Sequence, residues 1–142
     1  AIAMNTNNLQ KQYLMATAGR VLVIEKALNQ RNVPALLEAC EPSVLVDGEA
    51  KTQAQLGRLI EKDFSSAPDL VVTNGSCDVS VQSKKVTKRA GRQKRKVVTY
   101  ETQGWTARCE QTATLAGKAS ARTVTYHFSA ASKLREIVTR AE

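Results

Sequence analysis

The chain has 142 residues, 42% of them hydrophobic and 24% charged, the composition of one globular domain that can bury a core without metal or disulfide support. No apolar run approaches the roughly 20 residues of a membrane-spanning helix, so no membrane partner is expected. The net charge of +8 lies in a single segment: Lys84, Lys85, Lys88, Arg89, Arg92, Lys94, Arg95 and Lys96 give eight positive charges with no acid among them, and the remainder of the chain is neutral.

Ala1–Ile2–Ala3 ahead of Met4 read as foreign to the natural start, with no signal-peptide pattern behind them, and residues 1–142 read as a single domain. Residues 7–31 keep an apolar stripe at three- and four-residue steps, including Leu9, Tyr13, Val21, Ile24 and Leu28, which predicts a helix. Asn32 is a good N-cap for a short second helix over Val33–Ala39, with Pro34 in its first turn. Ser43–Val46 is a short strand ending at the turn dipeptide Asp47–Gly48. Thr52 and Gln55 form a capping box for a third helix, about Gln53–Ser65, with Leu56, Leu59, Ile60 and Phe64 on one face.

From Leu70 onward the pattern is that of strands: Leu70–Thr73 and Asp78–Ser83, as one strand or two, then a hairpin whose basic tip contains Ala90–Gly91. A long strand returns from Val97 to Leu115 with a bulge at Gly104, and Ala116–Gly117–Lys118 turns it back. Arg122–Ser129 alternates, with Val124, Tyr126 and Phe128 on one face and Thr123, Thr125 and His127 on the other. Lys133–Thr139 is the last strand, although its composition also suits a short helix. Helices followed by a run of strands give an α+β fold with the helices on one face of an antiparallel sheet. Cys40, Cys77 and Cys109 contain no CxxC pair and read as free thiols in a reducing cytosol; a Cys109–His127 catalytic pair and a disulfide or adduct are the alternatives.

The succession Ala27–Leu28–Asn29, Val33–Leu37, Val44–Gly48, the helix ending at Phe64, Pro68–Leu70, Thr125–Phe128 and Lys133–Ile137 resembles the nuclear transport factor 2-like superfamily, in particular its SnoaL-like and ketosteroid isomerase-like branch. The resemblance covers residues 8–140 and implies a cone: a curved antiparallel sheet wrapped around N-terminal helices, enclosing a pocket, with a homodimer through the outer sheet face. It also implies a small apolar ligand and cofactor-independent proton transfer, as in isomerases, cyclases and dehydratases. Neither metal nor cofactor is expected.

Asp47 is the candidate general base, at the place where such isomerases hold a proton-shuttling carboxylate; an Asp-Gly turn with a solvated carboxylate is the other reading. The oxyanion-stabilising positions of those enzymes correspond to Ile24 and Val124, which have no donor to offer. His127 is the helper acid/base if the strand register turns it into the pocket, and an outer-face residue if Tyr126 and Phe128 point inward. Ile24, Leu28, Leu59, Tyr100, Trp105, Tyr126 and Phe128 are the expected pocket wall. The segment 84–96 reads as a solvated hairpin, a nuclear-import address, or a site for nucleic acid or an acidic partner. A cytoplasmic location is expected, or a nuclear one if the basic cluster is an address.

Overall fold

The computed structural model describes residues 19–90 and 95–141, without the side chains of residues 88–90, 95, 97, 99 and 100. The expected helical turns before residue 19, together with Arg92 and Lys94, lie outside the described residues.

Helix α1 occupies residues 19–29. It stops because Arg31 adopts a left-handed conformation (φ 57°), which lets Arg31 N bond Leu28 O and Asn32 N bond Ala27 O, a Schellman closure. The Arg31 guanidinium reinforces the stop by donating to Leu28 O, Ala67 O and Pro68 O. Helix α2 (Val33–Glu38) begins at Asn32, whose side chain accepts from Ala35 N, with Pro34 in the first turn as expected. Helix α3 (Gln53–Ser66) starts on the Thr52–Gln55 capping box read in the sequence. Gln53 Nε2 donates to Leu37 O and Cys40 O and so ties the start of α3 to the end of α2.

Six strands follow or interrupt these helices: β1 (Cys40–Val46), β2 (Glu49–Thr52), β3 (Val71–Ala90), β4 (Arg95–Leu115), β5 (Lys118–Ser129) and β6 (Leu134–Ala141). They form one sheet in the order β2-β1-β6-β5-β4-β3, antiparallel except where β1 runs parallel to β6. The tight β1–β2 and β4–β5 turns, Asp47–Gly48 and Ala116–Gly117, each place two consecutive residues at positive φ, the geometry that suits the twist of a two-residue hairpin.

The segment read as one or two strands is one, the continuous β3, whose register shifts between Asn74 and Cys77; the polar Asn74–Gly75–Ser76 run marks a bulge within the ladder. The unexpected β2 carries Glu, Ala, Lys and Thr, none of them an apolar strand signal, and forms because the Asp47–Gly48 turn folds it back onto β1.

The curved, unclosed sheet buries one face against the helices. Val21, Ile24 and Ala27 of α1, Leu36 of α2 and Leu56 of α3 meet Ala107 and Cys109 of β4 and Val124, Tyr126 and Phe128 of β5. The last strand is β, and its first residue, Leu134, closes the same core. Where β4 and β5 meet, Gly104 lies so close to β5 that a Cβ added to it would stand 2.2 Å from Phe128 O. The register shift between Gln82 and Ser83, opposite the Thr102–Gly104 stretch, is the bulge anticipated there.

Cys77 and Cys109 are cross-strand partners joined by a disulfide, which corrects the free-thiol reading and leaves Cys109 no thiol to pair with His127. Spacing could not reveal this bond, because the pair is brought together only by the β3–β4 register. Such bonds persist in oxidising compartments and are rare in a reducing cytosol. Cys40 is the free thiol, buried, its Sγ donating to Leu36 O. Burial pushes it up to about 11, with Lys133 opposing, so it remains protonated and inert.

Alkylation of the unreduced, denatured chain should label Cys40 alone, and labelling of all three cysteines would refute the bond. Gly104→Ala should cost about 1–3 kcal/mol, because the obstructing atom is backbone and β5 must move. Thermal unfolding should show a Tm lower by roughly 5–10 °C.

Candidate functional site

The hollow between helices and sheet has a volume of about 340 Å³. Its wall is mainly apolar, from Leu28 of α1, Ile60 and Phe64 of α3, Leu70 just before β3 and Val72 near the start of that strand. Asn29 fixes that wall by accepting from Val72 N and donating to Val72 O, both at 2.9 Å, so that α1 is pinned to the edge strand. Arg31, Asp63 and Arg122 bring charge to the rim. Arg31 is occupied by the three carbonyls at the helix ends and lies 5.1 Å over the Phe64 ring. Arg122 is different. Its Nε donates to Gln111 Oε1 at 2.6 Å, and among the described residues no carboxylate lies within ion-pair distance of it.

Behind Arg122 a polar chain runs into the core. Gln111, only 3% exposed, donates from Nε2 to the Tyr126 hydroxyl and to Asn74 Oδ1, each at 3.0 Å. The Tyr126 hydroxyl donates on to Asn74 Oδ1 at 3.4 Å, and Asn74 N donates to the Glu25 carboxylate on α1. Asn74 Nδ2 is buried and has no partner among the described residues. Arg122 is therefore held by a chain that reaches three strands and a helix. Reading by residue type passed over Glu25, Asn74, Gln111 and Arg122. The available signal was period two: Arg122 is in phase with Val124 and Tyr126 on β5, and Gln111 with Ala107 and Cys109 on β4.

The structure places neither proposed acid/base group in the hollow. Asp47 is exposed in the β1–β2 turn, where Oδ1 accepts from Thr139 N at 2.8 Å and its own N donates to Ile137 O at 3.0 Å. His127 stands on the opposite sheet face, out of phase with the buried Tyr126 and Phe128; Nδ1 is 3.1 Å from Thr106 Oγ1 and Nε2 is 3.9 Å from the Glu136 carboxylate. Of the expected wall residues only Leu28 lines the hollow. Ile24, Tyr126 and Phe128 are core, Trp105 packs against that core, Leu59 is half-buried elsewhere on α3, and the Tyr100 side chain is outside the description. No group of three His, Cys, Asp or Glu side chains suited to a metal occurs among the described residues.

Burial raises the Tyr126 phenol above its ordinary value of 10.0, against the hydrogen bonds with Asn74 and Gln111 and the Arg122 charge, with Glu25 adding to the rise. Its contribution to stability is complete below the unfolded-state value and is lost as pH rises through the higher folded-state value. The difference in stability between wild type and Tyr126→Phe should thus be constant below about pH 10, roughly 1–2 kcal/mol, and shrink above it. Urea titrations across pH 7–11 check this, and a difference that grows with pH would contradict it.

No family model matches the chain, and no curated protein matches it by sequence. Solved structures do match its fold. A SnoaL-like protein of unknown function from Burkholderia thailandensis superposes with a TM-score of 0.61 at 11% identity, covering 89% of this chain and 95% of that one. IdmH from Streptomyces antibioticus, a candidate polyketide cyclase, gives 0.54 at 11% identity over 89% and 91% of the two chains. A candidate ketosteroid isomerase from Kribbella flavida gives 0.53 at 11% identity over 89% and 77%. The chain has the nuclear transport factor 2-like fold, in the cone form of the SnoaL-like and ketosteroid isomerase-like structures.

Proposed function

We propose that the chain is a small-molecule-binding domain whose hollow takes an apolar compound bearing an anionic or strongly polarised oxygen, received by Arg122. The observation that carries this reading is the state of Arg122 itself. It lines an otherwise mainly apolar cavity, is fixed through Nε by buried Gln111, and has no acidic partner among the described residues. A guanidinium fixed at one nitrogen still offers a planar set of donors to a carboxylate, sulfonate or enolate oxygen. The cavity lies at the lower end of the usual size range for small-molecule sites.

The isomerase, cyclase or dehydratase reading requires a base at the ligand. Asp47 and His127 stand away from the hollow, and the acid on its rim, Asp63, is exposed to solvent. The neighbours' cyclase and isomerase assignments support the shape of the site, and binding without proton transfer by Asp47 or His127 is the reading favoured. Pairing of two copies through the outer sheet face, where Thr125 and His127 stand, belongs to the same proposal.

The test uses anilinonaphthalene sulfonate, a fluorescent apolar anion. Wild type should bind it saturably, Arg122→Leu should weaken binding about tenfold, and Arg122→Lys should fall between them. Circular dichroism would confirm that each variant is folded. Equal affinity for the three proteins would end the assignment of Arg122.

A further inference from the structure

The basic segment has no role in the hollow. β5 pairs with β4 only as far as Gly104↔Ser129, whereas β3 and β4 continue together from Ser83↔Thr102 to Ala90↔Arg95. Eight residue pairs therefore stand beyond the sheet as a two-stranded ribbon, about 26 Å long at the usual rise per residue. Lys84, Lys85 and Lys96 are exposed on it, and none forms an ion pair with a described residue. With the other five cations of residues 84–96 they give eight positive charges, against one acid on the ribbon, Glu101, the cross-strand neighbour of Lys84.

We propose that this arm is a binding element for duplex DNA, held through phosphates and without reading sequence. Three alternatives fit less well. Single strands are held by several bases stacked on aromatic side chains, and residues 83–102 contain one aromatic residue, Tyr100. An acidic protein would need a cluster of buried anchors for affinity, and the arm's apolar residues, Val86, Ala90, Val97, Val98 and Tyr100, are outnumbered by its cations. Duplex RNA has a major groove too deep and narrow for such an arm. The major groove of B-form DNA, about 12 Å wide, admits a two-stranded ribbon between two rows of phosphates. At about 3.4 Å per base pair, the ribbon spans roughly seven or eight pairs.

Anisotropy titrations of a fluorescent duplex of about 24 base pairs, from about 50 to 200 mM salt, test the proposal. Binding should weaken with a log–log slope of about −4 or steeper. The triple variant Lys84→Gln, Lys85→Gln, Lys96→Gln should lose about tenfold or more in affinity at the lower salt and show a slope shallower by about 2 to 3. The triple variant Lys26→Gln, Lys62→Gln, Lys118→Gln, with the same net charge but changed outside the arm, should bind as wild type does. Equal loss in both triples would reduce the effect to net charge and overturn the proposal. So would absence of binding at about 50 mM salt, or tighter binding to single-stranded DNA, duplex RNA or polyglutamate. None of these readouts involves Arg122, so the two proposals fail separately.

Discussion

The Tyr126 hydroxyl sets the terms for the interior. Tyr126 is fully buried, and a hydroxyl at that depth without a partner would cost on the order of 1–3 kcal/mol. Gln111 meets it, but a buried amide has its own needs, and these are answered by Asn74 on one side and Arg122 on the other. Asn74 reaches the chain at the place where β3 shifts register, so the bulge is part of the same solution. The Glu25 carboxylate then holds the backbone of Asn74 from α1. One buried phenol thus accounts for an irregular strand, a half-buried arginine and a helix-to-sheet tie. The ligand proposal rests on this chain because it fixes Arg122 before any ligand arrives, which lowers the ordering cost of binding.

The β3–β4 ladder belongs to two environments. Along one stretch it is a sheet floor, with Ala107 and Cys109 completely buried beneath the helices and the Cys77–Cys109 bond crossing it. Past Gly104 the third strand is gone, and the same two strands continue as a pair. A ribbon with no core beneath it has no reason to be apolar, and its composition turns basic where β5 ends. Lysines on an unpaired edge also discourage strand-to-strand aggregation, and that effect accounts for some positive charge. It does not account for eight cations against the single acid Glu101, since alternating signs would protect an edge equally well.

Much of the fold was legible because its signals are local. The Thr52–Gln55 box, Asn32 with Pro34, and the Asp47–Gly48 and Ala116–Gly117 turns act within a few residues, and the structure uses each as read. Alternation along β5 set Tyr126 and Phe128 on the face opposite His127 but left open which face is buried; the structure buries Tyr126 and Phe128. The candidate site was less legible for the opposite reason. Its members come from α1, α3, β3, β4 and β5, and the partnership of the strand residues depends on register. Gln111 and Arg122 face each other across β4 and β5, and Asn74 joins them only through a bulge. Asp47 drew attention as a carboxylate at a strand end, but a residue at φ 49° inside a hairpin turn has a structural task that places it in solvent. The disulfide escaped for the same reason, since the pairing of positions 77 and 109 is a property of the ladder and not of the spacing.

The two proposed sites lie at opposite ends of that ladder, and distance makes them independent. Val72 at the hollow and Lys85 on the arm belong to the same strand, roughly 40 Å apart at extended rise. Screening in physiological salt acts over about 8 Å, so the arm contributes almost nothing to the potential felt at Arg122. A charge cluster near the hollow would attract anionic ligands indiscriminately and compete with Arg122, the fixed cation there whose remaining donors the proposal assigns to the ligand. By gathering its excess charge on a ribbon outside the packed sheet, the chain keeps the potential at the hollow a matter of local groups, Arg122, Arg31 and Asp63, set in an apolar wall.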